Sequence, residues 1–288
     1  MSETMNINLN GLTLWPNGKQ EWRKDGKFHR QDGPAVVETD GRMEWWRNGL
    51  CHRDDGPAVV MPGSFVEWWR DGMLHRENGP AVIRASGGIE WWFRNQLHRE
   101  NGPAVLMPTH LEWWFAGKRH RINGPAIIWE HGRLEWWKDG YRYREDGPAV
   151  IEPLGRTEWW VNGCLHRIGG PAVIGSNGTL EWWQGGQLHR KDGPAVIHPD
   201  GYQAWHNEGV LHREDGPAII YAYGRKEWWV NGHLHREDGP AVVEPYGYQE
   251  WWRDGNLHRC DGPARVWPNG RVEWWEDGKY IRAEREVK

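Results

Sequence analysis

Apolar and polar positions alternate along this chain in short bursts, and the bursts recur. A stretch such as MEWWRNGLCHR (43–53) gives way to DDGPAVV (54–60), crosses a second turn and starts again at FVEWW (65–69). The Glu that opens each Glu-Trp-Trp falls at 21, 44, 67, 90, 112, 135, 158, 181, 227, 250 and 273, with Ala204 standing in once. The steps are 23 residues, with a single 22 between Glu90 and Glu112. Alternation over four to eight residues predicts half-buried strands. A fixed period in this range predicts a stacked array, in which each unit buries its apolar face only against its neighbours. The predicted fold class is therefore all-β: an elongated antiparallel repeat sheet, a β-hairpin meander of about twelve 23-residue units. Residues 1–11 read as an N-terminal segment, 12–282 as a single array and 283–288 as a charged C-terminal cap.

Turn chemistry sets the expected register. Asp-Gly or Asn-Gly closes a two-residue hairpin loop because a type I′ turn needs φ > 0 twice. Counting outward from Asn48-Gly49 places Arg47 opposite Leu50, Trp46 opposite Cys51, Trp45 opposite His52 and Glu44 opposite Arg53. The last pairing predicts a ladder of structural ion pairs: Glu44–Arg53, Glu67–Arg76, Glu90–Arg99, Glu135–Arg144 and Glu250–Arg259. Cross-strand pairs contribute about 0.2–1 kcal/mol each, so only the whole ladder would matter. Counting from the second turn, Asp40-Gly41, places Val37 opposite Glu44 and Val36 opposite Trp45. The Pro of each DGPAV segment has no N–H for a ladder and marks a bend or a strand start. If that bend turns a full corner, the alternative architecture is a β-solenoid. Residues 204–213 form the least regular unit: Ala204 replaces Glu, His206 replaces Trp, and Asn207-Glu208-Gly209 replaces the tight turn.

Composition narrows the chemistry. Twenty-five Trp against four Phe is far from ordinary usage. Net charge is −4, and both signs recur at fixed places in each unit. No basic stripe of the kind a nucleic-acid binder carries is visible, so no nucleic-acid partner is expected. Cys51, Cys164 and Cys260 occupy three different places in the unit, form no CxxC, and read as free thiols of a reducing compartment. MSETMNINLNG shows no secretion signal, and no run approaches the ~18–20 apolar residues of a membrane span. A cytoplasmic protein is expected, with membrane attachment not favoured. The pattern sets no oligomeric state.

The candidate interaction surface is a stripe of aromatic rings: Trp45, Trp68, Trp91, Trp113, Trp136, Trp159, Trp182, Trp205, Trp228 and Trp251. Rows of exposed aromatics mark binding surfaces, and Trp and Arg dominate interface hot spots. A glycan or a choline-like group is the alternative ligand, since aromatic faces attract such groups. The competing structural reading makes both Trp rows core. A row of His recurs from His29 to His258 with Tyr143 interrupting it. Equivalent His in a meander lie ~10 Å apart, too far to share a metal ion. Neither a metal nor another cofactor is therefore expected. A catalytic centre is one unique constellation, whereas Glu, His and Arg recur identically here, so no catalytic residues and no enzyme activity are expected. Variable positions are the better place for specificity: Lys27, Met73, Lys118, Tyr141, Cys164 and His233 after the turn Gly, and the loops Met61-Pro62, Trp129-Glu130-His131 and Tyr221-Ala222-Tyr223.

The unit resembles the MORN (membrane occupation and recognition nexus) repeat in its bacterial and viral variants. The resemblance rests on the period, on Trp three residues before the turn Gly and on His three after it, as in LEWWFAGKRHRINGPAIIWEHGRLEWW (111–137). It covers nearly the whole chain. It departs where the family's small Gly after His is Arg, where DGPA replaces G-x-G, and where a second Trp replaces a charged residue. The resemblance implies a hairpin per repeat and a scaffold or binding role. The expected function is a non-catalytic scaffold that binds a macromolecule, a protein partner first, along an extended Trp/Arg face.

Overall fold

Two kinds of turn, most of them built on glycine, shape the units. At the first, Asn48 and Gly49 both take positive φ (51° and 83°), the type I′ signature that matches strand twist. At the second, Gly41 alone is left-handed (φ 88°). Here Glu38 N–H donates to Arg42 O (2.8 Å) and Gly41 N–H to Glu38 O (3.1 Å), closing a three-residue loop. The computed structural model describes residues 7–285. Residues 1–6 of the expected N-terminal segment and 286–288 of the expected cap lie outside the described residues. The chain divides into two compact units, Met1–Tyr141 and Arg142–Lys288, and the same repeat builds each. No helix among the described residues is long and apolar enough to cross a membrane.

In the first unit Val36–Val37 pairs with Met43–Glu44, which pairs with Val59–Met61, which pairs with Phe65–Glu67. The same order continues to Ile127–Trp129 and Leu134–Glu135. In the second unit it runs from Val150–Ile151 and Thr157–Glu158 to Arg265–Val266 and Arg271–Glu276. Neighbours are antiparallel and follow the order of the chain, with the short Trp-containing hairpins forming their own ladders between them, so each unit holds a hairpin meander, as expected, and not the alternative β-solenoid.

The register at the second turn differs from expectation by one residue. Val36, not Val37, lies opposite Glu44, and Val37 lies opposite Met43. The cause is the loop length: three residues, Thr39 to Gly41, where a two-residue turn was expected. A one-residue slip carries every side chain to the other face. It puts Val36, Glu44 and Val59 on one face together, which is why those valines form the core.

The strand then breaks at the first Trp. Trp45 N–H donates to Ala58 O of the sheet (2.7 Å), while Trp45 O accepts His52 N–H of its own hairpin (2.9 Å). Beyond this corner a second ladder forms, Trp46 opposite Cys51 and Arg47 opposite Leu50, as counted from Asn48-Gly49. On the return strand Arg53 N–H donates to Trp69 O of the following hairpin (3.3 Å). Glu44 and Arg53 therefore belong to different ladders and do not face each other.

The inside of the corner is alanine. From Ala35 to Ala264 the Ala of each DGPA-type loop is completely buried. Its amide and carbonyl are both spent, as Ala58 N–H donates to Glu67 O (2.8 Å) and Ala58 O accepts from Trp45. Even one or two added methyl groups would overpack such a site, typically at a cost of about 1–3 kcal/mol. Around Ala58 the core gathers Cys51 and Val59, with Trp45, Trp46, Phe65 and Trp69 packed on it.

Both ends of the described chain modify the repeat. Leu9 O accepts Gly26 N–H (2.9 Å) and Asn10 Oδ1 accepts Asp25 N–H (2.8 Å), the places that a preceding hairpin would supply. At the other end Lys279–Arg285 runs straight, with a bulge between Trp274 and Trp275 opposite it, so that Ala283 lies against Glu273. That strand is exposed along its whole length.

Candidate binding surface

Each Glu-x-Trp forms a bond across the corner, from the end of the sheet strand to the start of the hairpin beyond it. The second indole donates its Nε1–H to the carboxylate: Trp46 to Glu44 (2.8 Å), Trp69 to Glu67 (2.9 Å), Trp92 to Glu90 (2.8 Å), Trp252 to Glu250 (2.9 Å). Trp137 does the same to Glu135 at 3.0 Å. Where the residue two places upstream is Arg it is the ionic partner of the Glu, as in Arg42–Glu44 (2.9 Å), Arg133–Glu135 (2.9 Å) and Arg156–Glu158 (2.8 Å), whereas Glu90 pairs with Arg84 (2.8 Å) and Glu250 with Arg265 (2.9 Å). The working motif is therefore Glu-x-Trp across the corner, extended to Arg-x-Glu-x-Trp where Arg stands two places before the Glu.

The Arg of His-Arg has a different task. Arg53 lies over the Trp45 ring (4.3 Å), donates from Nε to Asp55 (2.9 Å) and from Nη1 to Pro57 O (3.3 Å). Arg76 covers Trp68 (3.9 Å), Arg99 covers Trp91 (3.8 Å), and Arg259 covers Trp251 (4.1 Å). The expected ion pairs Glu44–Arg53, Glu67–Arg76, Glu90–Arg99 and Glu250–Arg259 are thus replaced by two separate sets of contacts. The corner at the first Trp is the physical reason. Arg144 donates to Pro148 O (3.1 Å), the same loop contact that Arg53 makes. At Asp55, Asp215, Asp238 and Asp261 the Arg hydrogen bond holds the loop carboxyl below the usual carboxylate range.

The candidate Trp stripe occupies this clamp. Trp45, Trp68, Trp91, Trp113, Trp136, Trp159, Trp182, Trp205, Trp228 and Trp251 are all half-buried, and so are their second-row neighbours. One face of the rings at 113, 159, 182, 205 and 228 is taken by an Arg guanidinium at 3.8–4.1 Å. The stripe is a partly covered surface rather than an open row of rings.

The His row ties hairpins together. His52 Nδ1 accepts Asp71 N–H (3.0 Å), and His189 Nδ1 accepts Glu208 N–H (3.2 Å), in each case at the turn of the next hairpin. The same 19-residue link recurs from His29–Asn48 (3.1 Å) to His258–Asp277 (3.2 Å). Each of these bonds gives a turn amide a partner on the hairpin before it, with Tyr143 interrupting the row. Among the described residues no three His, Cys, Asp or Glu converge as a metal-ligand set. Cys51 is buried, which pushes its thiol pKa up to about 12, while Cys164 and Cys260 are exposed.

Between successive HRxDG loops lies a recurring cleft. One, of about 500 Å³, is lined by Arg53, Asp54, Asp55, Trp68, Arg70 and Arg76. Its equivalents include a cleft of about 920 Å³ between Arg213 and Asp238, and one of about 670 Å³ between Arg236 and Asp261. Each joins half-buried Trp to charged side chains at the rim, the mixture that interface anchors show. The sequence reading missed the variable residue after His-Arg, which forms that rim. Part of its signal was available: at several hairpins it matches the residue seven places earlier, as in Arg47 with Asp54 and Phe115 with Ile122. Comparison of the chain with protein-family models and with curated proteins finds no match.

Proposed function

We propose that this protein is a non-catalytic repeat scaffold of MORN-like type that binds a partner protein along its row of clefts. The observation that carries this reading is the clefts' equivalence. The same Trp, Arg and carboxylate positions return every 23 residues, which suits an extended partner better than a small substrate. Catalysis would need one site unlike the others, and Glu, His and Arg are already committed to indoles, turn amides and Trp faces. A choline-like group would have to displace the guanidinium already stacked on each first Trp, so the aromatic-cage reading has less support than a protein interface.

Mass measurement on the purified complex tests the proposal. A scaffold should hold its partner at low, fixed stoichiometry, and cross-links should map to the HRxDG loops. Saturable binding of many equivalent glycan molecules per chain, with no protein partner at fixed stoichiometry, would replace this reading with the glycan one.

A further inference from the structure

The cleft between Arg213 and Asp238 departs from its counterparts in charge: four carboxylates line it against two Arg, whereas Arg and carboxylates balance in the clefts at Arg30–Asp55, Arg53–Asn78, Arg76–Asn101 and Arg236–Asp261. At several hairpins the residue just before the type I′ turn is matched with the one seven places later, after His-Arg. Arg47 reaches Asp54 (3.1 Å) and Arg70 reaches Glu77 (3.4 Å). The matching extends to character, since Phe115 corresponds to Ile122 and Val161 to Ile168. It fails at Phe93, which corresponds to Glu100, at Arg253, which corresponds to Cys260, and at two successive hairpins that border one cleft, where Asn207 corresponds to Glu214 and Val230 to Glu237.

Those two carboxylates stand with little compensation. Glu214 approaches only the His212 imidazole (3.8 Å) and Glu237 only that of His235 (4.0 Å) among the ion pairs of the described residues. Their side chains are 85% and 89% exposed. The two Arg of the cleft are committed. Arg213 stacks on Trp205 (4.1 Å) and holds Asp215 (2.7 Å), and Arg236 stacks on Trp228 (4.1 Å) and holds Asp238 (2.8 Å). Two Arg thus neutralise two Asp, and Glu214 and Glu237 remain.

We propose that this cleft receives an arginine side chain from an extended segment of the partner protein. Its guanidinium takes the place beside Glu237 that Arg70 fills beside Glu77, with Glu214 on the facing loop. The inference rests on the scaffold reading and names the chemistry of its partner. Arginine fits better than lysine because the array's own occupant is a guanidinium, whose planar fork meets carboxylates in two directions. Val230 and Trp228, which line the same cleft, offer apolar surface to the arginine stem.

Fluorescence anisotropy with a labelled alternating Gly-Arg hexapeptide tests this, with Gly-Lys and Gly-Glu hexapeptides as comparisons, at ~150 mM salt, where loose surface attraction is screened. The Gly-Arg peptide is expected to bind most tightly. Val230→Arg, which supplies the cation from within, and the isosteric pair Glu214→Gln/Glu237→Gln should each weaken it about tenfold or more, the size of one charge-assisted contact. Glu77→Gln, in a cleft that already holds Arg70, should leave binding unchanged. Circular dichroism shows whether Val230→Arg folds, and the Gln pair repeats the test at exposed positions. Equal binding of Gly-Arg and Gly-Lys peptides overturns the assignment, as does unweakened binding by the Gln pair. Partner capture at fixed stoichiometry with no preference for arginine would retain the scaffold and reject this occupant.

Discussion

The stretch Arg42–Trp46 and its counterpart Tyr202–His206 occupy the same place in their hairpins and solve it differently. In the first, Arg42, Glu44 and Trp46 form a chain of contacts, guanidinium to carboxylate to indole. In the second, Tyr, Ala and His replace all three members at once. Tyr202 instead joins an aromatic group with His198 (4.8 Å) and Tyr221 (5.6 Å). The cost shows nearby: Val196 is only half-buried where Val36, Val59 and Val173 are buried, and His206 Nδ1 is buried with no partner in hydrogen-bond geometry. Yet the backbone does not notice. His206 pairs with Leu211 and Asn207 with Val210, around a turn whose Glu208 and Gly209 take φ of 49° and 86°. Two layers of information are separable here. Turn glycines and corner alanines hold the ladder, while the Arg-Glu-Trp chain sets how well the core face is filled.

The sharpest way to break that comparison is to restore one member of the chain without the others. Ala204→Glu buries a carboxylate beside Tyr202 and His206 instead of Arg and Trp. An uncompensated buried charge costs about 3–5 kcal/mol, so urea unfolding of the second unit should shift to markedly lower denaturant. The triple variant Tyr202→Arg/Ala204→Glu/His206→Trp should recover most of that loss. A triple variant no more stable than the single one would show that the three residues do not act together.

In the regular hairpin the same logic predicts a smaller effect. Glu44→Ala leaves the Trp46 Nε1–H and the Arg42 guanidinium without their acceptor, and hydrogen bonds to charged groups contribute about 1.5–3 kcal/mol. A double-mutant cycle with Trp46→Phe should show positive coupling between the two sites. Additive losses would mean that the indole bond contributes nothing beyond packing.

Much of this was legible in the chain. The alternation and the 23-residue step predicted an antiparallel meander, and Asn48-Gly49 fixed the hairpin register through Trp46–Cys51. The second turn was misjudged because Asp40-Gly41 looks like a two-residue loop, although its Gly sits at the end of three residues. The Glu–Arg ladder was misjudged because extrapolating a hairpin past its second pair assumes a straight strand. No local signal marks the corner at Trp45, whose amide turns away to Ala58, a partner thirteen residues along. The irregular unit was visible at Ala204 and His206, but its turn is as tight as the others. Glu208 can adopt positive φ when Gly209 follows, and the sequence reading required Asn or Asp there.

Turn chemistry offers a finer comparison between hairpins. Asn48-Gly49 uses two residues suited to positive φ, whereas Ala116-Gly117 forces alanine to φ 45°. A left-handed L-residue without a polar side chain carries strain of about 1–2 kcal/mol. Ala116→Asn should stabilise the first unit by about 1 kcal/mol in thermal unfolding, and it keeps the amide that donates to His98 Nδ1 (3.1 Å). No gain would mean that the neighbouring hairpins, rather than the residue, set that conformation.

The smallest expected effect is a pH dependence confined to the irregular unit. Burial pushes the His206 pKa below its ordinary value, only partly offset by the nearby Ala204 backbone. A base whose folded pKa is lowered binds fewer protons folded than unfolded between the two values. Its contribution is therefore neutral above the ordinary imidazole value of about 6.5 and costs stability as pH falls below it. Replacing His206 by Gln should remove that part of the acid sensitivity while leaving the stability at pH 8 nearly unchanged. Comparing the slopes of unfolding free energy against pH between 5 and 7 for the two proteins isolates the term. Identical slopes would show that the imidazole takes up its proton in the folded state, and that the gap left by Glu and Trp admits enough water to solvate it.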